Sequence, residues 1–253
     1  PGQSSSVTLD VKDGIFLGGD SAYLAASGRL SATDGTYYVP NLDARLLSGT
    51  TSSGYRYGVG PALAVDGILT PQTYGVRLLN NSREWMYGPF SKGSSLVVKR
   101  RIYIPEAGGF ARVIDTVRNT GNAAVEVRLS QTAPPRSGYA VVELASQESG
   151  NTAVIYGLGT GGDEAANEWV GLAYADGVST LKPTTTLLNA PNDNGWDGSV
   201  LLNWRSQLGA GQTMSVAHFH LLGDADASSV RAKIQKIVSK TMPGMFDGLT
   251  ATE

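Results

Sequence analysis

Apolar and polar side chains alternate through the middle of the chain, between residues 96 and 130. In "SLVVKRRIYIP" the apolar residues Leu96, Val98 and Ile102 lie two or four positions apart. Successive side chains of a β-strand point to opposite faces, so these three residues share one face. "VIDTVRN" repeats the pattern, and "NTGN" after it supplies turn residues. The alternation therefore predicts antiparallel strands that pack on one side.

The strand that follows this turn separates its two faces clearly. Its apolar face consists of Val125, Val127 and Leu129, and its polar face of Glu126, Arg128 and Ser130. Further strand candidates are "YAVVELAS", "TAVIYGLG", "WVGLAYADG", "VLLNWRSQLG" and "TMSVAHFHLLG", which glycine, asparagine and aspartate residues separate. The chain before residue 96 predicts short strands and glycine-rich loops, with a tight turn at Asp66–Gly67.

One segment, "DADASSVRAKIQKIVSK", has a helical pattern instead. Its apolar stripe consists of Val230, Ile234, Ile237 and Val238. Asp226 or Ser228 is placed to cap the start, and "MPGMF" ends the helix. We therefore predict an all-β fold over residues 1–253, a large antiparallel β-sandwich with one amphipathic helix near the C-terminus. These residues are expected to form a single domain, which is either a whole protein or a fragment of a larger one.

Composition agrees with this fold and excludes several classes of function. The 253 residues include 32 glycines and only 17% charged residues, which suits short strands joined by tight turns. The absence of cysteine excludes a disulfide scaffold and a thiolate metal site. A net charge of −2 with scattered basic residues argues against a nucleic-acid partner. The sequence has no apolar run of the ~20 residues that membrane insertion as a helix requires.

Two stretches carry a family resemblance. "VVKRRIYIPEAGGFARVIDTVRNTGNAAVEVRL" and the later "LGAGQTMSVAHFHLLGDA" resemble the galactose mutarotase-like supersandwich modules of bacterial secreted and surface multidomain proteins. In that pattern an arginine opens a strand that ends in Tyr-x-Pro, and Gly-Phe-x-Arg then leads to an aspartate and an Asn-Thr-Gly turn. The resemblance implies the fold more strongly than an activity, because this architecture hosts enzymes and inert modules alike.

The histidines depart from the catalytic members of that family. The resemblance implies a histidine pair on separate segments together with a late carboxylate, but this chain has only His218 and His220, on one predicted strand. Mutarotase chemistry is therefore not expected. The two side chains would share a face, roughly 7 Å apart. They would suit two metal ligands, or simply a polar, half-buried sheet face, and the sequence does not decide whether they bind a metal.

Two acidic loops that each carry a tryptophan, "GGDEAANEW" and "NDNGWDG", are the predicted ligand site. Sugar rings stack on tryptophan, and glycoside hydrolysis needs two carboxylates across a cleft. The predicted ligand-binding residues are Trp169, Trp196, Asp163, Glu164, Asp193 and Asp197. The alternatives are solvated loops whose tryptophans fold back onto the core, or calcium bound at "NDNGWD". No other cofactor is expected, and no catalytic residue is assigned.

Arg100 and Asp115 fall in phase with apolar residues of their strands. An unpaired buried charge is very costly, so each should have a partner. We predict that they form a structural charge pair with each other or bond to backbone groups beside them. Their neighbours Lys99 and Arg101 should then point to solvent.

These features together predict a non-catalytic module of a secreted or cell-surface bacterial protein, which binds carbohydrate or protein or acts as a spacer. One alternative is a self-assembling structural subunit of a fibre or layer. The other is a carbohydrate-active enzyme that uses the acidic, tryptophan-bearing loops. Expected partners are a carbohydrate or protein ligand, neighbouring domains of the same chain, and further copies of the chain.

Overall fold

The protein is seen here as a computed structural model. It describes residues 7–9, 29–32, 35–38, 48–51, 54–55, 62–66, 68–69, 76–79, 83–107, 109–133, 139–147, 150–158, 169–174, 181, 183–188, 199–221 and 227–249.

The described strands, numbered in chain order, form three antiparallel sheets. The large sheet contains, from edge to edge, β1 (Val7–Leu9), β8 (Val76–Leu79), β9 (Glu84–Lys92), β10 (Leu96–Tyr103), β11 (Ala111–Asn119), β18 (Thr213–Leu221), β15 (Trp169–Ala173), β14 (Gly150–Leu158) and β13 (Tyr139–Gln147). The second sheet contains β16 (Thr184–Leu188), β17 (Ser199–Leu208), β12 (Val125–Ala133), β6 (Ala62–Val65) and β7 (Ile68–Leu69). The third contains β2 (Arg29–Ala32), β3 (Gly35–Tyr38), β4 (Ser48–Thr51) and β5 (Gly54–Tyr55).

The main core lies between the large sheet and the second sheet. The large sheet contributes the face that carries Val98, Val113 and Val216, and the second sheet contributes Leu129 and Trp204. The alternation predicted from the sequence is confirmed, because the apolar positions of β10 and β12 are buried while Lys99 and the polar face of β12 are more exposed. We call the face of the large sheet that packs in this core its inner face.

A second core covers the opposite, outer face of the large sheet. Helix α1 (Ala227–Val238) lies there, with Val230, Ile234 and Ile237 buried. Gly171 permits the close approach, because a Cβ atom at this position would lie 2.7 Å from Cγ1 of Val230. The predicted helix is thus confirmed, although Asp226, one of its two predicted caps, lies outside the described residues.

The end of α1 uses an unexpected residue. Lys240 adopts a left-handed backbone with φ of 60°, which glycine usually supplies at this place. The amides of Lys240 and Thr241 then donate to the carbonyls of Ile237 and Lys236. The chain turns back from here, and residues 241–249 pass over the outer face.

The predicted fold class is confirmed, since the described chain is a large antiparallel β-sandwich with a helix near its C-terminus. Within the described residues, no helix combines the length and apolar character needed to cross a membrane. Whether the 253 residues form one domain or a fragment of a longer chain stays a prediction.

Candidate functional site

Four buried polar side chains form a continuous line on the inner face of the large sheet. The line starts at Arg100 and Asp115, which are opposite each other on β10 and β11. Arg100 donates two hydrogen bonds, from Nε to Oδ1 of Asp115 at 2.6 Å and from Nη2 to Oδ2 at 2.8 Å. Both side chains are fully buried. This is the bidentate arrangement in which an arginine holds a carboxylate most firmly.

The line continues onto β18 through the two histidines. Nε2 of His218 lies 3.5 Å from Oδ2 of Asp115, and Nδ1 of His218 lies 2.9 Å from Nε2 of His220. The side chains share a face because their positions differ by two. Their nitrogens are much closer than two strand rises, since the rings lean together with their centroids 5.0 Å apart. We call Arg100, Asp115, His218 and His220 the buried relay.

The carboxylate fixes which nitrogens carry protons. The proton of His218 belongs on Nε2, because this atom faces Oδ2 of Asp115 and a bare nitrogen there would repel the oxygen. Nδ1 of His218 is then an acceptor, so Nε2 of His220 must donate to it. His220 thus donates to His218, whose own Nε2 points towards Oδ2 of Asp115 at 3.5 Å and makes no hydrogen bond among the described atoms.

Electrostatics keep both histidines neutral at pH 7. Burial lowers the pKa of His218 despite the opposing effect of Asp115. The pKa of His220 falls further, first through burial and then through His218 and Arg100. Burial acts to raise the pKa of Asp115, but Arg100 and His218 outweigh it, and the net pKa is lowered. The relay is thus a carboxylate that orients two neutral imidazoles.

Such a line can move a proton. In many acid–base and nucleophilic sites, a second group orients the base, and a carboxylate holds that second group in turn. A metal site is less well supported, because the described residues contain no cluster of three or more histidine or acidic side chains able to hold an ion. The hydrogen bond between the two histidines also uses one ring nitrogen of each.

Two more polar groups in the main core lack partners. Among the described atoms, the indole nitrogen of Trp85 and both amide atoms of Gln131 make no hydrogen bond, although both residues are buried. Gln131 is in phase with Val127 and Leu129 and so faces the large sheet. An unsatisfied buried polar group costs about 1–3 kcal/mol, which makes both side chains candidates for contact with a polar ligand.

A different charged cluster occupies the outer face. Arg101 was predicted to point to solvent, and this is wrong. Its guanidinium donates to both carboxylate oxygens of Glu84, at 2.8 and 3.0 Å, and to the carbonyl of Gly248 at 2.8 Å. The reason is that residues 241–249 cover this face. Arg112 also contacts Glu84, at 3.3 Å.

An open cleft of about 360 Å³ lies beside this cluster. We call it the outer cleft. Its walls include outer-face residues of β11 and β18, the C-terminal part of α1 and the segment that follows. Tyr174, Val216 and Trp204 of the main core also line it. Some of the residues that line it are Arg112, Ala217, Phe219, Lys240, Met245 and Phe246.

The predicted ligand site is only partly within the described residues. Trp169 is 5% exposed and packs in the second core with Val230 and Ile234. Its indole therefore presents almost no surface on which a sugar could stack, and the alternative in which the tryptophan packs on the core describes it better. The other predicted ligand-binding residues, Asp163, Glu164, Asp193, Trp196 and Asp197, lie outside the described residues, as does the predicted calcium site.

Sequence reasoning identified part of the relay and missed other polar groups. Arg100 and Asp115 were found from strand phase, and the histidines were noted but not joined to them. Gln131 was overlooked, although a signal existed: it occupies an apolar phase of β12. Glu84 could not be found, because its partners come from β10 and β11.

Comparison with solved structures identifies the fold. The chain is similar to a protein from Klebsiella pneumoniae described as a "putative aldose 1-epimerase", with a TM-score of 0.51, 10% identity and coverage of 94% of this chain and 96% of that one. It is also similar to a galactose mutarotase-like protein from Lactobacillus casei, with a TM-score of 0.52, 10% identity and coverage of 78% and 99%. No protein-family model matches the sequence, and no curated protein is significantly similar to it.

These similarities confirm the resemblance at the level of fold, although not the setting of a secreted multidomain protein. They also correct the expected function. Both of these solved structures carry names that refer to sugars, a "putative aldose 1-epimerase" and a "galactose mutarotase-like protein". This finding overturns the expectation of a non-catalytic module and favours the carbohydrate-active alternative.

Proposed function

We propose that this protein is a carbohydrate-active enzyme in which the buried relay exchanges a proton with a sugar. The observation that supports this most is the hydrogen-bonded contact between His218 and His220, at 2.9 Å, behind which Asp115 and Arg100 lie in line. The names of the proteins that share the fold suggest the substrate class.

Of the two histidines, His220 lies farther from Asp115 along the relay, and it would be the residue that meets the sugar. When its Nδ1 accepts a proton from a hydroxyl, the Nε2 proton can pass to His218, whose own proton moves towards Asp115. The positive charge that develops is thereby placed next to the only carboxylate of the relay. General base catalysis of this type contributes about 10²–10⁴-fold to a rate.

A sugar must gain access to His220, whose side chain is 1% exposed. We propose that substrate binding opens the core around His220. Trp85 and Gln131, with their unpartnered polar atoms in the same core, would then bind sugar hydroxyls. Burial of the substrate in this way would also exclude water from the proton transfer.

A second acid–base group is needed to protonate the ring or leaving oxygen. We propose the loop carboxylates Asp163, Glu164, Asp193 and Asp197 as its source. Location outside the cell, neighbouring domains and self-association also stay predictions.

The test is an activity screen followed by substitution of the relay. Purified protein is assayed for anomer exchange of free aldoses by polarimetry and for release of reducing ends from a panel of polysaccharides. His220→Gln is expected to lower kcat at least 100-fold while the protein keeps its fold. Lys99→Gln, an exposed change on β10, is the matched control and should leave the rate unchanged.

Full activity in folded His220→Gln protein would overturn the role of the relay. Absence of activity on every aldose and polysaccharide would overturn the proposed enzyme class. Each loop carboxylate is then replaced by its amide in turn. The second acid–base group should be the residue whose replacement lowers kcat as much as His220→Gln does.

A further inference from the structure

We propose that the outer cleft is a second binding site, for an amphipathic monoanion: a carboxylate or sulfonate attached to an apolar body. None of the four relay residues is among the described residues that line it, although the lining also reaches the main core through Val216 and Trp204. The inference is thus independent of the proposed enzymatic function.

The size of the cleft suits a small organic molecule. Its volume of about 360 Å³ falls within the ~300–1,000 Å³ of typical ligand pockets. The floor is formed by outer-face side chains such as Ala217 and Phe219, and the segment after α1 supplies Met245 and Phe246. A molecule of this kind would be held between the sheet and the C-terminal segment.

The charge of the lining favours an anion. Among the described residues that line it, Arg112 and Lys240 are the charged ones and none is a carboxylate, while Glu84 contacts Arg112 at 3.3 Å from outside the lining. Arg112 is rigidly held: Nη1 donates to the carbonyl of Met245 at 2.7 Å, and the guanidinium lies 4.6 Å from the ring centre of Tyr103. Its Nε has no hydrogen-bond partner among the described atoms, although the side chain is almost fully buried. A fixed cation with one unused donor is suited to an anionic oxygen.

The remaining walls favour an apolar body over a sugar. Phe219, Ile237, Met245 and Phe246 line the cleft, while Ser215 is one of few lining side chains with a hydroxyl group. A sugar needs many directed hydrogen bonds, and most of the described residues that line the cleft are apolar. Phe246 is 54% exposed, an unusual position for a large apolar ring, and a bound apolar body would cover it.

The experiment uses 8-anilinonaphthalene-1-sulfonate, a fluorescent anion with an apolar body, on the folded full chain. We expect saturable binding of one molecule per chain, competed by octanoate and at least tenfold less well by the neutral octanamide. Ala217→Trp should abolish binding by filling the cleft without changing a charge. Lys240→Gln should weaken it about threefold to tenfold, and Lys236→Gln, at an exposed position of α1 outside the lining, should not.

Equal competition by octanamide and octanoate would overturn the preference for an anion. Unchanged binding to Ala217→Trp protein would place the ligand elsewhere and overturn the site. Arg112→Gln is a secondary variant because Arg112 also supports the C-terminal segment. The sugar assays do not report on this cleft, so failure of either proposal is recognised separately.

Discussion

Asp115 shows how a charge can be retained inside a β-sandwich. It accepts two hydrogen bonds from Arg100, and neither side chain has contact with solvent. Removal of one member of a buried pair leaves the other without compensation, which typically costs about 3–5 kcal/mol. Asp115→Ala should therefore lower the free energy of unfolding by this amount in a denaturant titration, whereas Lys99→Ala, exposed on β10, should change it by less than ~0.5 kcal/mol.

The double variant tests whether the two charges act together. The loss in the free energy of unfolding in the double variant should be smaller than the sum of the losses in the two single variants. The reason is that replacement of Arg100 removes the charge that Asp115→Ala leaves uncompensated. Strict additivity would contradict a coupled pair. Asp115→Ala protein that kept its stability and lost only activity would show that Asp115 serves catalysis alone.

The histidines make a second prediction, on pH. Burial lowers the pKa of both, so the unfolded chain binds protons near pH 6.5 that the folded chain does not. Their contribution to stability is full above pH 6.5 and is lost as the pH falls towards the folded pKa. The free energy of unfolding should fall by roughly 1 kcal/mol per pH unit below 6.5 for each neutral histidine.

The control for this titration is simple because the chain has only two histidines. His218→Gln/His220→Gln protein should show a flat profile between pH 7 and 5. At lower pH a further loss is expected in both proteins, since the lowered pKa of Asp115 contributes stability that protonation removes. An equally steep profile without the histidines would disprove the assignment.

The helix supplies a prediction about a whole element. Ile234 is buried against the outer face of the large sheet, close to Gly171. Ile234→Ala should lower the free energy of unfolding by about 2–5 kcal/mol, the usual cost of a large-to-small change in a core. Lys236→Ala, exposed two residues later, is the control. A loss below ~0.5 kcal/mol for Ile234→Ala would mean that the helix does not pack here.

Periodicity explains why the elements were predictable. The helical stripe and the alternation in β10, β11 and β12 are local properties, set by which side of each element is covered. The order of the strands is not local. β18 joins β11 from about 100 residues away, and only this pairing brings His218 towards Asp115. The sequence therefore predicted the Arg100–Asp115 pair but not that His218 and His220 would join it.

The outer face of the large sheet also could not be predicted from periodicity, because a distant segment of the chain covers it. Arg101 has the pattern of an exposed residue, because its strand alone gives no sign that residues 241–249 will cover it. Its partner Glu84 comes from β9, and the carbonyl of Gly248 comes from the end of the described chain. Interactions that depend on the return of a distant segment cannot be inferred from alternation.

Asn119 connects the two main sheets and provides a prediction for the molecule as a whole. It ends β11 of the large sheet, and its Nδ2 lies 2.7, 3.0 and 3.1 Å from the carbonyl oxygens of Ala123, Leu208 and Gly209. Leu208 ends β17 of the second sheet, so one buried amide bonds to chain from both layers. Its Oδ1 also accepts from the amide of Gly121 at 2.9 Å.

Asn119→Ala removes all these bonds at once and leaves several backbone groups without their partner, each worth about 1–3 kcal/mol when buried. Some of these groups can bond to water instead, so we expect a total loss of roughly 2–4 kcal/mol in the free energy of unfolding. Asn122→Ala, exposed in the same turn, should cost less than ~0.5 kcal/mol. Hydrogen exchange should also show faster opening of β11, β12 and β17 together in Asn119→Ala protein. Faster exchange confined to the turn would contradict a connection between the sheets.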